Sequence, residues 1–196
     1  MKFKAIIYLA VFVLAVAAIA LQLTFKKSPP LPVFNTVPDF QLTGRDGKPV
    51  TLADLKGRVW IADFFYASCP GPCPVISARL GNLQGDALKG DDVRFVSIST
   101  QPEMDTPEAL RQYAQKFHAS DKWLFLTGDK EQIYNLANKG FLLTAVEQNN
   151  SKENPVIHST KLALVDKAGK IRGYYDGADG TNTEQILHDI KVLSRE

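Results

Sequence analysis

Residues 59–74 read VWIADFFYASCPGPCP, and the expected architecture follows from them. Val59–Tyr66 is short and almost continuously apolar, as a central strand buried on both faces should be. Ser68-Cys69-Pro70-Gly71-Pro72-Cys73-Pro74 comes directly after it, and Val75 to Leu88 follows with the apolar pattern of a helix. A buried strand running through a cysteine turn into a helix is the start of a strand–helix–strand unit.

Two more apolar runs, Val93–Thr100 and Trp123–Thr127, read as further central strands. Between them Thr106-Pro107 marks a helix start, with Pro tolerated in the first turn and Leu110, Tyr113, Ala114 and Phe117 at helical spacing. Lys130–Lys139 gives a shorter helix with Ile133, Leu136 and Ala137 on one face. Asp39–Thr43 and Val50–Leu52 flank Arg45-Asp46-Gly47-Lys48 and read as an N-terminal β-hairpin; Lys161–Val165 and Lys170–Tyr175, around Lys167-Ala168-Gly169, form another. A last helix opens at Thr181-Asn182-Thr183-Glu184, read as a capping box, and buries Ile186, Leu187, Ile190 and Leu193. The sum is an α/β domain, a mixed sheet flanked by helices. Thr144–Ile157 fits no element and is long for a structureless connection, so it is expected to be mobile or functional.

With 196 residues, 45% of them hydrophobic and 22% charged, the chain has the size and composition of one globular domain with a few dozen residues to spare. Ala5 to Phe25 carries no charge, and Ala5 to Leu21 is unbroken apolar sequence, between Lys2 and Lys4 on one side and Lys26 and Lys27 on the other. At about 1.5 Å per residue the run reaches across a hydrocarbon core of roughly 30 Å. Ala18-Ile19-Ala20 resembles a signal-peptidase site, but the run exceeds the usual h-region, so the reading is a retained anchor over residues 1–27. Ser28-Pro29-Pro30-Leu31-Pro32 begins a stiff linker over 28–37, and the domain occupies 38–196. Such a segment places the domain on the exported side; the short Lys-rich start favours a single-pass protein of a bacterial inner membrane with its domain in the periplasm. The four N-terminal lysines account for the net charge of +2, leaving 19 basic against 21 acidic residues in the rest. A domain so balanced has no basic face for nucleic acid.

Two cysteines cannot build a disulfide scaffold or a zinc site of three or four thiolates. Four apart at a helix opening, they lie on one face about 5–6 Å apart at Cβ, long for a disulfide unless the loop closes the gap, and a fair bite for one soft metal ion. Three prolines and a glycine restrict the loop, and the helix N-terminus is expected to favour the thiolate. A five-residue loop closed by a bridge would stabilise little, so the pair is chemical, by metal binding or by redox exchange. Asp63, six residues before Cys69, is either a proton relay to the pair or a hydrogen-bonded structural carboxyl.

Strand plus C-P-x-P-C-P resembles the thioredoxin superfamily. Val37-Pro38-Asp39-Phe40, Ala62-Asp63-Phe64, the cysteine loop, Leu126-Thr127-Gly128 and His158-Ser159-Thr160 together resemble the Sco/SenC family over nearly the whole chain. The resemblance implies a thioredoxin-like fold and one copper ion held by Cys69, Cys73 and His158. It also implies delivery of that copper to the dinuclear copper site of cytochrome c oxidase subunit II, with a periplasmic thiol reductant keeping the cysteines reduced. Two thiolates and one imidazole suit copper(I), whereas zinc would want a fourth donor. His118, at a helix C-terminus, and His188, on the polar side of the last helix, are read as structural and exposed. The family's Asp-Pro-x-x-Asp-Thr is here Gln101-Pro102-Glu103-Met104-Asp105-Thr106: Asp105 matches, while Gln101 removes one negative charge near the site.

A copper chaperone is therefore the leading expectation. The alternative is a thiol–disulfide oxidoreductase in which Cys69 attacks and Cys73 resolves, acting on the oxidase subunit or on other periplasmic proteins. A thiol peroxidase ranks last, because no Arg or Lys lies between Tyr66 and Ala78 to stabilise a peroxidatic thiolate.

Overall fold

The computed structural model describes residues 12–13, 15–16, 30–87, 93–147 and 156–196. Met1–Pro30 and Leu31–Glu196 are separate units. In the first, Phe12, Val13, Ala15 and Val16 are helical, and the rest of the expected anchor lies outside the described residues. Among the described residues no helix is long and apolar enough to cross a membrane.

The second unit runs β1 (Asn35–Thr36), β2 (Gln41–Gly44), β3 (Pro49–Thr51), β4 (Val59–Phe65), α1 (Cys73–Ala87), β5 (Val93–Ser99), α2 (Pro107–Lys116), β6 (Trp123–Thr127), α3 (Lys130–Asn135), β7 (Ala145–Glu147), β8 (Val156–His158), β9 (Lys161–Val165), β10 (Lys170–Asp176) and α4 (Thr183–Ser194). Eight strands form one mixed sheet in the order β1-β10-β9-β4-β5-β6-β2-β3. β4, β5 and β6 are parallel, joined through α1 and α2, while β9 and β10 add antiparallel on the other side of β4.

β4 shows why a continuous apolar run belongs at the centre. Val59, Ile61 and Phe65 pack against Ile76, Leu80 and Leu83 of α1, Leu110 and Tyr113 of α2, and Ile186, Ile190 and Leu193 of α4. Trp60, Ala62 and Phe64 face the opposite way, into a second core with Ile98, Leu126, Ile133, Leu136 and Phe141. Period-two alternation thus feeds two cores from one strand. Asp63 falls on the first face, the side on which α1 opens.

Four local differences from the sequence reading have physical reasons. The sheet begins before Pro38: β1 pairs with β10 at its edge, and Val37 is core. The segment read as structureless contains β7 and β8, a two-stranded antiparallel ribbon, with residues 148–155 outside the described set. The helix expected over Lys130–Lys139 is α-helical only to Asn135 and continues as a π-turn, Leu136–Gly140. No capping box opens α4: Asp179 instead caps a short 3-10 turn, Gly180–Asn182, accepting from the Thr181 N–H and hydroxyl, and Leu187 is only half-buried.

Candidate functional site

β4 ends at Phe65, and the chain turns so that the Cys69 N–H donates to the Tyr66 carbonyl at 3.2 Å. The Ile76 N–H then bonds the Pro72 carbonyl at 3.0 Å, which opens α1 with Cys73 as its first residue. Pro70, Gly71 and Pro72 are exposed, yet both sulfurs beneath them are buried, Cys69 at 6% and Cys73 at 1% exposure. Both are thiols. They are hydrogen-bonded to each other, and that bond, with burial, pushes the Cys73 thiol far above its ordinary value; a hydrogen bond from the Tyr66 main chain opposes the shift only in part. The helix N-terminus was expected to favour the thiolate. Burial and a neighbouring sulfur outweigh it here.

Two phenols line the pair. Tyr66 is buried beside Cys69, and burial, followed by the charge and hydrogen bond of Cys69, pushes its hydroxyl upward. Tyr113 shares a 2.9 Å hydrogen bond with Ser77 of α1; burial pushes it upward, helped by negative charge on Cys73, Asp63 and Cys69. Both therefore stay neutral beside the two buried sulfurs. Asp63 accepts from the Ser97 hydroxyl at 2.5 Å, and Ser97 in turn accepts from the Trp123 indole at 2.9 Å. Its charge acts on Cys73 and Tyr113 from below.

Asp105 braces the loop. One of its oxygens accepts from the Ala67 N–H at 3.0 Å and from the Ser99 hydroxyl at 2.5 Å, tying the residues before Cys69 to the end of β5. Burial raises its pKa above the usual 3.8, against the lowering effect of those two hydrogen bonds. A raised native value makes the protonated form the better-folded one: the contribution is fully present below the unfolded pKa and lost as pH rises through the native one. Asp105→Asn keeps the acceptor and removes the titration, so its stability relative to the parent should rise as pH is taken upward from about 4. Asp105→Ala should cost about 1–3 kcal/mol at any pH, because Ala67 N–H and Ser99 lose their acceptor. Urea unfolding across pH 4–8 reads both effects. Gln101, where an acid was expected, accepts from the Ser68 hydroxyl at 3.2 Å and so keeps a hydrogen bond to the loop without the charge.

His158 is the last residue of β8, paired with Ala145; its imidazole lies outside the described side chains. The main chain after it reaches the opening of α1. The Gly177 N–H donates to the Thr160 carbonyl at 2.8 Å, and a Cβ at residue 177 would stand 2.5 Å from that oxygen and 3.2 Å from Ile76. Glycine is therefore required where β10 passes between Thr160 and the first turn of α1. Arg79 of α1 holds that crossing, donating to the carbonyls of Asp176 at 2.8 Å and Gly177 at 3.1 Å. The other two histidines are remote in role: His118 is exposed with its carbonyl bonded by Gln84, and His188 is 62% exposed beside Asp189. Among the described residues no three His, Cys, Asp or Glu side chains form a metal cage. Tyr66, Tyr113, Ser97 and Gly177 were given no part in the site by the sequence reading. Only Tyr66, adjoining the cysteine loop, carried a positional signal.

The SCO1/SenC family model matches residues 30–195. A SCO1 protein homolog of Bacillus subtilis is 37% identical over 167 residues, 83% of this chain and 85% of that protein. BsSco, described with a disulfide switch and as a member of the Sco family of cytochrome c oxidase assembly proteins, superposes with a TM-score of 0.75 at 35% identity, covering 85% of this chain and 98% of its own. Copper-bound ScoI of Arabidopsis thaliana superposes with a TM-score of 0.69 at 26% identity, covering 80% of this chain and 98% of its own. A match running from the start of the linker through α4, cysteine loop included, leaves one conclusion: the chain belongs to the SCO1/SenC family.

Proposed function

We propose that this protein carries one copper ion as cargo between Cys69, Cys73 and His158. It hands the ion to the dinuclear copper site of cytochrome c oxidase subunit II during assembly. The observation that carries the reading is the buried thiol pair at the opening of α1. Two soft donors suit copper(I). The Thr160–Gly177–Ile76 crossing supports a role for the nearby His158, since it brings the main chain two residues on to the same end of α1. Copper in the Arabidopsis relative and oxidase assembly for BsSco point the same way. The apolar run at residues 5–25 would anchor the protein in a bacterial inner membrane with the domain in the periplasm. In that oxidising space a thiol reductant must keep the pair reduced, itself ending as a disulfide.

Anaerobic titration of the reduced protein with copper(I) tests the reading. One equivalent should bind tightly, and His158→Ala should weaken binding; an unchanged affinity in that variant removes His158 from the ligand set. The second reading, thiol–disulfide exchange, is favoured by Asp63, a buried carboxyl near Cys73 that could relay the proton its thiol gives up. Cys69 would attack a partner disulfide and Cys73 would release it, leaving a Cys69–Cys73 bridge here and two thiols on the partner. Weak copper binding together with fast exchange would select it.

A further inference from the structure

We infer that Asn138 is a positioning residue for position 158: its amide fixes the register of the β7–β8 ribbon and with it the face of the ribbon on which residue 158 stands. The functional consequence rests on His158 being a copper ligand; the positional role does not.

The Asn138 side chain meets Ala145 as a neighbouring strand would. Its Nδ2 donates to the Ala145 carbonyl at 2.9 Å, and its Oδ1 accepts from the Ala145 N–H at 3.0 Å. Ala145 is the register partner of His158, Val146 of Ile157 and Glu147 of Val156. A ribbon of two three-residue strands is marginal by itself. Its faces are also unequal, since Ala145 is 1% exposed and Val146 50%. A slip of one residue would exchange them and carry residue 158 to the other side.

The chain goes to some trouble to bring Ala145 to Asn138. Asn138 lies in the π-turn, a feature that concentrates at functional sites. The turn is pinned from outside by Asn35, which donates to the carbonyls of Lys139 at 3.1 Å and Gly140 at 2.8 Å, and by Tyr174, which donates to Phe141 at 2.7 Å. Leu142 follows with φ 54°, a left-handed conformation that a bulky residue holds only where its surroundings impose it. The Leu143 N–H then returns to the Ala137 carbonyl at 2.9 Å. On the far strand the Ser159 N–H bonds Thr144 at 2.8 Å and Thr160 is held by Gly177. Residue 158 therefore lies between two fixed points, the Asn138 clamp on its partner and the Gly177 contact after it.

Asn138→Ala and Asn138→Asp, which keeps the acceptor for the Ala145 N–H, are compared in the full reduced chain. The readouts are amide hydrogen exchange at Ala145 and Ser159 without metal, and copper(I) affinity by competition with a chromophoric chelator. Exchange should speed up about tenfold in Asn138→Ala and less in Asn138→Asp. Copper(I) should bind about tenfold more weakly in Asn138→Ala, and the change should have no further effect in a His158→Ala background, since both act on one ligand. Parental exchange rates, or an equal loss of copper in both backgrounds, would overturn the inference. An unchanged copper affinity in His158→Ala alone would refute the ligand, and the exchange rates would still decide the role of Asn138.

Discussion

Cys73→Ser should abolish tight copper(I) binding while leaving the domain folded. The substitution is nearly isosteric, and a hydroxyl can replace the thiol's hydrogen bond to Cys69, so packing around Ile76 and Leu80 survives. What is lost is a soft anionic donor, exchanged for a hard neutral one. Changes outside the ligand shell of metal sites cost about 10–100-fold in affinity, and removal of one of two thiolates should exceed that. The pH dependence is a second reading of the same residue. With its thiol pushed upward, Cys73 keeps its proton at neutral pH, and copper must displace it. Affinity in the parent should therefore rise with pH, by about tenfold per unit for each proton released. Cys73→Ser should lose that slope as well as the affinity. Chelator competition at several pH values measures both, and a serine variant that bound copper as the parent does would end the metal reading.

Arg172→Met should be strongly destabilising. Its guanidinium is buried at the edge of the sheet and donates to Asp166 at 2.8 Å, to Glu196 at 2.8 Å, and to the carbonyls of Leu31 and Pro32. Removing one partner of a buried ion pair typically costs about 3–5 kcal/mol, because the other charge is left without compensation. Asp166 retains hydrogen bonds from the Ala168 and Lys170 main chain, so the lower end applies, roughly 3 kcal/mol. For a domain of this size that is a fall of about 6–12 °C in Tm. Arg172→Met combined with Asp166→Asn should recover part of it, since the orphaned charge goes too. Calorimetry of the single and double variants separates the two terms; a single variant within about 1 kcal/mol of the parent would show that water reaches and solvates Asp166.

Most of the sheet could be read from the chain because each central strand is bounded and apolar on both faces. β4 is the clearest case: every residue is buried, and the exception in kind, Asp63, stands out in the sequence by its spacing of six from Cys69. That partner, Ser97, sits 34 residues away on β5, and nothing local announces it. The cysteine pair was legible because its spacing, prolines and position after a strand all lie within one window. β7 and β8 were not, since three-residue strands carry no periodicity to detect, and the side-chain amide of Asn138 that bonds Ala145 comes from the π-turn. The direction of the Cys73 shift was missed for a related reason. Sequence shows the helix opening that would stabilise a thiolate, while burial and the contact with Cys69 arise only when the loop closes.

The Arg172 contact with Leu31 and Pro32 has a mechanical consequence. A pull on the backbone N-terminal to Leu31 does not start by peeling β1 from the sheet margin, where two short residues would yield like a zipper. It meets a guanidinium bolted to both Asp166 and the last residue of the chain, so tension is shared between the two ends of the polypeptide and delivered to the middle of β10. The domain is thus gripped where the chain enters it, and the edge strand is spared the strain.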